Sequence, residues 1–371
     1  MARLLDLMNE ELKTFNKNEV TQFHCLEDFI TNDKNSAIFI EQCSRGSMFK
    51  MPDNKSELFD IAQTRARHSA VTFLMGLVLG KAFKIFDKIS VRVSSQDTMI
   101  EPLSLELWLL TALNHDVAYT LKNITNPNLN YQKTYTFYLL DDYYGDYSER
   151  NKISVLNDFS KKYSSFFAYS YDEIEAYDRY ARQYHALAQD KEKVDHGILG
   201  GVYFFNRKVK YLNTTESSIG DYLLTKGASL TIAQHNIFKS NNKESDKKYP
   251  NELRKLYSTS DFVIDQKTPA LLLLSLVDTV ECVKRLSKKE NKAPILETLT
   301  VLRNIEVFVD DNKVIVDYWK LKVAIENKED RKRNLLLTKL EKHMGAIKSL
   351  KYWTGFNVIQ EDEFRLNITF V

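Results

Sequence analysis

Two hydrophobic rhythms divide this chain. From Ser56 the run LFDIAQTRARHSAVTFLMGLVLGKAFKIF carries apolar residues on nearly every side of a helix, as a helix buried all round requires. Pro102 suits a first helical position and opens a second such segment, PLSLELWLLTALNHDVAYTLK, with His115-Asp116 in its C-terminal third. In KVDHGILGGVYFF, Gly197, Gly200 and Gly201 recur at helical spacing and leave one face bare, open to a close neighbour. SLTIAQHNIF predicts another short apolar helix, bearing His235. Thr268-Pro269 is a cap and first-turn pair for PALLLLSLVDTVECVKRL, which carries Asp278.

Beyond a charged linker from Ser287 to Asn291, ending near Pro294, the period changes. NIEVFVDDNKVIVDYW alternates in twos around a polar turn, the pattern of a β-hairpin. A basic amphipathic helix is expected from about Glu329 to Lys348, and GFNVIQEDEFRLNITFV predicts two more strands. Residues 1–55 form an N-terminal segment read as irregular or loosely helical, with apolar patches at Leu4-Leu5 and Ile38-Phe39-Ile40. Residues 123–190 read as an insertion in the helical region. It holds 12 of the 20 tyrosines, enough to pack its own aromatic core, to stack a base or to cover a site. The expected organisation is therefore mainly α: a helical domain over 56–288 and a small α+β accessory domain over 295–371.

Composition narrows the classes. Only 11 glycines and 6 prolines in 371 residues favour long helices over turn-rich β architecture. With 52 basic against 50 acidic residues, no strong signal for duplex nucleic acid is present, although a small anionic substrate remains compatible. Three cysteines without CxxC spacing argue against a disulfide framework and a thiolate zinc site. The N-terminal stretch MARLLDLMNEELKTF has acids among its apolar positions, unlike a signal peptide. The longest apolar run, Ala70 to Leu79, is shorter than the roughly 20 residues of a spanning helix. A cytoplasmic protein without a membrane span is expected.

The candidate chemistry lies in six residues: His68, His115, Asp116, His196, His235 and Asp278. Each sits in or beside an apolar stretch, where an ionisable side chain is costly unless paired, hydrogen-bonded or metal-bound. His68 alone reads as a core histidine. His115-Asp116 within WLLTALNHDVAY, and Asp278 after LLLLSLV with no lysine or arginine in its helix before Lys284 and Arg285, favour a cation from elsewhere. His185 reads as a half-exposed helix histidine, and His24 and His343 as surface residues.

In this order the residues resemble the HD-domain superfamily of metal-dependent phosphohydrolases, over roughly Glu57 to Arg285. That resemblance implies an HD-type helical core. It implies a first metal held by His68, His115, Asp116 and Asp278, and a second held by His196 and His235. Asp116 would bridge the two and serve as the catalytic carboxylate. Two divalent transition metals are implied, and nitrogen and oxygen donors suit Mn, Fe, Ni, Co or Zn. The expected reaction is hydrolysis of a nucleotide-like phosphate ester through a metal-bridging hydroxide.

Where many members carry a phosphate-contacting lysine three residues past the His-Asp aspartate, this chain has Tyr119. Lys122, one turn later, and Arg65, one turn before His68, join Tyr119 as candidate substrate-binding residues. Two other readings share the ligand pattern: a di-iron oxygenase acting on a small polyol or phosphonate, and a non-catalytic nucleotide sensor. The expected partner is a small phosphorylated or nucleotide substrate, with the C-terminal domain as the surface for any self-association.

Overall fold

The computed structural model describes residues 1–31, 33–43, 58–86, 103–120, 196–197, 200–201, 204, 208, 219–235, 269–286, 289–290, 293–294, 296–310, 312–352 and 354–370. The described chain is mostly helical, with one antiparallel sheet built chiefly from its C-terminal part. Lys122, His185, Pro102, Thr268 and the tyrosine-rich insertion lie outside the described residues. No described helix is long and apolar enough to cross a membrane.

The element order begins with β1 (Ala2–Arg3), α1 (Leu4–Phe15), α2 (Leu26–Ile30), α3 (Asp33–Cys43), α4 (Leu58–Ala82) and α5 (Leu103–Asn114). It continues with α6 (Ile219–Gln234), α7 (Pro269–Val280), α8 (Val283–Leu286), β2 (Lys289–Glu290), β3 (Ala293–Pro294) and α9 (Thr298–Arg303). The chain closes with β4 (Glu306–Asp310), β5 (Lys313–Asp317), α10 (Trp319–Glu326), α11 (Asp330–Ser349), β6 (Phe356–Asp362) and β7 (Arg365–Phe370).

Helix α4 is the axis of the core, and α1, α3, α5 and α7 all pack on it. Its residues from Ala70 to Leu79 are buried without interruption, which explains why its apolar residues face every direction. At Gly76 a side chain would collide with Trp108, since a Cβ there would lie 1.9 Å from the indole. The missing side chain lets α4 and α5 approach closely, and the Trp108 Nε1–H donates to the Phe73 carbonyl at 3.0 Å. That contact fixes how His68 on α4 stands against the end of α5.

The C-terminal hairpin, helix and strands form where the alternating pattern places them. The sheet runs β1-β4-β5-β7-β6, with every pair antiparallel. Asp310 pairs with Lys313 across a two-residue connection, and Asn312 adopts φ 57°, a left-handed conformation that asparagine tolerates. Val307, Val314, Val316, Val358, Leu366 and Ile368 are buried from alternate strand positions, so one face of the sheet lies on the helices. Phe83, in the turn just past α4, meets Phe356 of β6 with ring centroids 5.2 Å apart, and most of the buried side chains of helices and sheet form one continuous core, beside a smaller cluster of Leu110, Phe204, Leu224, Ala228 and Ile232.

Several expectations need correction. The N-terminal segment, read as irregular or loosely helical, is helical and well packed in its first 43 residues: three helices bury Leu4, Leu5, Met8, Leu12, Phe29, Phe39 and Ile40, and β1 extends the sheet through β4. Short helices α9 and α10 flank the hairpin where no helix was expected. The charged linker includes a two-residue ladder between β2 and β3. His343 is a core residue, fully buried on α11 with Nε2 3.1 Å from the Tyr318 hydroxyl, because the apolar stripe of that amphipathic helix turns it inward. His24 is exposed, as expected.

Candidate metal centre

Helix α4 presents Arg65 and His68 one turn apart, and the structure brings all six candidate ligands to that place. Their donor atoms fall into two groups, His68-His115-Asp278 and Asp116-His196-His235, with the atoms of each within 4.8 Å of one another. In the first, His68 Nε2 lies 2.9 Å from Asp278 Oδ1 and 3.1 Å from His115 Nε2. In the second, His235 Nε2 lies 3.2 Å from His196 Nε2, which is 3.3 Å from Asp116 Oδ1. The other oxygen of Asp116, Oδ2, is 3.7 Å from the Nε2 atoms of both His68 and His115. Asp116 thus offers one oxygen to each group.

His115 and Asp116 are not inside a helix. Helix α5 stops at Asn114, whose side-chain amide donates back to the Leu110 carbonyl at 2.9 Å. The two ligands then occupy a turn, followed by a short 3-10 segment from Val117 to Thr120. His235 likewise comes one residue after α6 ends. The two histidines use the same device. His115 Nδ1 donates to the Ala112 carbonyl at 2.8 Å and His235 Nδ1 to the Ile232 carbonyl at 2.6 Å, each three residues back. A carbonyl can only accept, so Nδ1 carries a proton and Nε2 is the nitrogen each ring turns into the cluster.

Two imidazole lone pairs facing one another near 3 Å repel unless a proton or metal cation lies between them. Burial, followed by the fields of His196 and His115, lowers the pKa of His235 to about 3, so that ring resists taking a proton. Four imidazole nitrogens and two carboxylates, without thiolate, form a donor set suited to Mn, Fe, Ni, Co or Zn. The described cysteines Cys25, Cys43 and Cys282 are free and join neither group, and burial pushes the Cys43 thiol up to about 12.

The glycine face of KVDHGILGGVYFF does what its spacing predicts. Gly200 approaches Ile232, Ala118 and the His115 carbonyl, and the Ser229 hydroxyl of α6 donates to the Gly201 carbonyl at 2.8 Å. The close approach sets His196 against His235 and Asp116.

Charges around the ligands are matched. Burial works against ionising Asp116, yet Arg65 first, then His115 and His196, hold its carboxyl well below the ordinary value. Arg65 Nη1 lies 2.8 Å from Asp116 Oδ2, and the guanidinium stacks 3.8 Å from the centre of the Tyr119 ring. The Tyr119 hydroxyl is 3.1 Å from His196 Nδ1. Two of the three candidate substrate residues therefore touch the ligands themselves.

Asp278 corrects an expectation. It has a cation from its own neighbourhood, because the chain breaks at Glu281-Cys282 and α8 returns the Lys284 ammonium onto its Oδ1. Burial raises the Asp278 pKa, but the charge of Lys284, with the imidazoles of His115 and His68 beside it, prevails and holds the carboxyl well below the ordinary range. For His68, burial and the Lys284 charge oppose protonation, but Glu281 and Asp278 prevail and leave its pKa raised.

Glu281 escaped the sequence reading. Its side chain is completely buried, with Oε2 2.7 Å from His68 Nδ1. In VDTVECVKRL it looks like an ordinary acid; the only available signal was its isolation between apolar residues. Compared with known proteins, the chain matches no family model, no curated protein and no solved structure.

Proposed function

We propose that this chain is a metal-dependent phosphohydrolase acting on a nucleotide-like phosphate ester. The observation that carries the reading is the division of Asp116, whose two oxygens face two separate groups of imidazole donors. A shared carboxylate of this kind suits a pair of divalent cations better than a single buried ion pair. His68, His115, Asp116 and Asp278 would hold one cation, and Asp116, His196 and His235 the other. When bound, such cations would acidify a water and polarise phosphoryl oxygens.

The chain's own groups supply orientation. The i−3 carbonyl contacts fix the rings of His115 and His235, and Arg65 holds Asp116 ionised between the two donor groups. Tyr119 supports His196 and leaves its ring as a platform beneath the guanidinium. The unused N–H groups of Arg65, a quarter exposed, are placed to meet a substrate oxygen beside the metals.

A second reading, oxygen activation by a di-iron centre on a small polyol or phosphonate, draws support from Tyr119. It brings no positive charge where phosphate handling would gain from one, and Arg65 already neutralises Asp116. One experiment decides between the readings. Protein loaded with manganese, and separately with iron, is offered an activated phosphodiester and nucleotide phosphates with and without dioxygen. Hydrolysis is expected with manganese at a rate independent of oxygen. Turnover only with iron and oxygen promotes the second reading, and metal binding without turnover leaves a nucleotide-sensing role.

A further inference from the structure

We propose that Glu281 is a positioning residue: it fixes His68 as a metal ligand and sets Lys284 against Asp278. The metal-binding part of this inference rests on the reading above. Glu281 occupies the break between α7 and α8 and exposes none of its side chain. A carboxylate in such a place is expensive unless its oxygens are met by donors. Here Oε2 receives the His68 Nδ1–H at 2.7 Å, Oε1 receives the Val283 amide N–H, and the Lys284 amide lies 3.4 Å from Oε2.

Each contact has its own consequence. Because an ionised carboxylate can only accept, the proton of a neutral His68 ring stays on Nδ1, and Nε2 is left to face His115 and Asp278. A carboxylate behind a ligating imidazole also raises its basicity, and losing such a partner typically weakens metal binding about 10- to 100-fold. The amide contacts cap the first turn of α8, whose next residue is the lysine whose ammonium reaches Asp278. One buried side chain thereby orders a ligand on α4 and the counter-ion of a ligand on α7. A buried ion pair serving stability alone would give the same contact, but not the same response to substitution.

Glu281→Gln keeps the shape and an acceptor for the Val283 amide while removing the charge behind His68. Cobalt(II) titration against a competing chelator, with thermal melting in parallel, reads the result on the full chain. One of the metal equivalents is expected to bind about 10- to 100-fold more weakly, with the other unchanged and Tm close to wild type. In a His68→Ala background Glu281→Gln is expected to add nothing to the loss. Nitrogen NMR of the metal-free protein should show the fixed Nδ1–H of His68 in wild type and its redistribution in Glu281→Gln. If Glu281→Gln does not fold, Glu281→Asp, which keeps the charge but withdraws it by one methylene, should show the same selective loss.

Wild-type cobalt affinity at both equivalents, or parallel weakening of both with Tm, overturns the proposal. If wild-type protein takes up no cobalt, the metal reading fails, and the NMR result decides the role of Glu281 by itself. An unchanged His68 Nδ1–H in Glu281→Gln would then refute it.

Discussion

The Arg65 guanidinium lies 2.8 Å from the Asp116 carboxylate, which is almost fully buried. An arginine expected to meet substrate is thus committed first to the carboxylate shared by the two donor groups. Removing it strands a buried charge. In the metal-free protein Arg65→Ala should lose about 3 kcal/mol of stability in chemical denaturation. Added manganese should restore a large part of that loss, because a cation again faces Asp116. Arg65→Ala should also lower kcat as well as raise KM, unlike a residue that only binds substrate. A change confined to KM would show that its contact with Asp116 is incidental.

Asp116→Ala should release nearly all bound metal, since both donor groups lose an oxygen together. Elemental analysis of the purified variant checks this. Metal content like that of wild type would refute the shared-carboxylate assignment.

His196→Ala and His235→Ala should each keep one metal equivalent and lose the other, with a steep fall in activity. His68, His115 and Asp278 form their own group and do not depend on the second pair of rings. Either variant with full metal content and full rate would exclude a two-metal centre.

His343 gives a pH prediction outside the candidate metal centre. Burial first, then the charges of Arg285 and Lys284, depress its pKa to about 3 from the ordinary 6.5. A depressed histidine binds its proton more readily in the unfolded chain, so its contribution to stability is complete above about pH 6.5 and is lost as pH falls toward 3. Between pH 7 and pH 5 this group alone should cost about 2 kcal/mol. His343→Leu should remove that portion of the acid sensitivity while keeping the helix buried. Identical pH dependence of stability in the two proteins would refute the assignment.

Hydrophobic period made much of the architecture legible. The apolar run of α4, the hairpin around Asn312 and the amphipathic α11 all follow from patterns that burial imposes on every turn or every second residue. The six candidate ligands stood out because isolated ionisable groups in apolar surroundings need a partner. What stayed hidden depends on tertiary closure. WLLTALNHDVAY keeps a helical rhythm beyond Asn114, so the turn that aims His115 inward has no periodic signature. Glu281 is paired with a histidine more than two hundred positions earlier, and Lys284 returns to Asp278 only because the helix breaks between them. His343 was misread because one histidine on a basic helix looks solvated until Tyr318 is placed beside it.

The pairing of Ala2 with Val307 has a consequence for how the molecule is made. Contacts between segments so distant in sequence slow folding, because a long loop must close before they yield any stabilisation. During synthesis β1 and α1 are made long before β4, the strand that receives β1. Helix α1 meets α4 early but its other partner α9 only much later, so the buried side of Leu4, Leu5, Met8 and Leu12 stays partly uncovered, a window in which partly folded chains are prone to associate. Completion of this small edge strand is a late step in maturation, and β4 keeps an open edge until it happens.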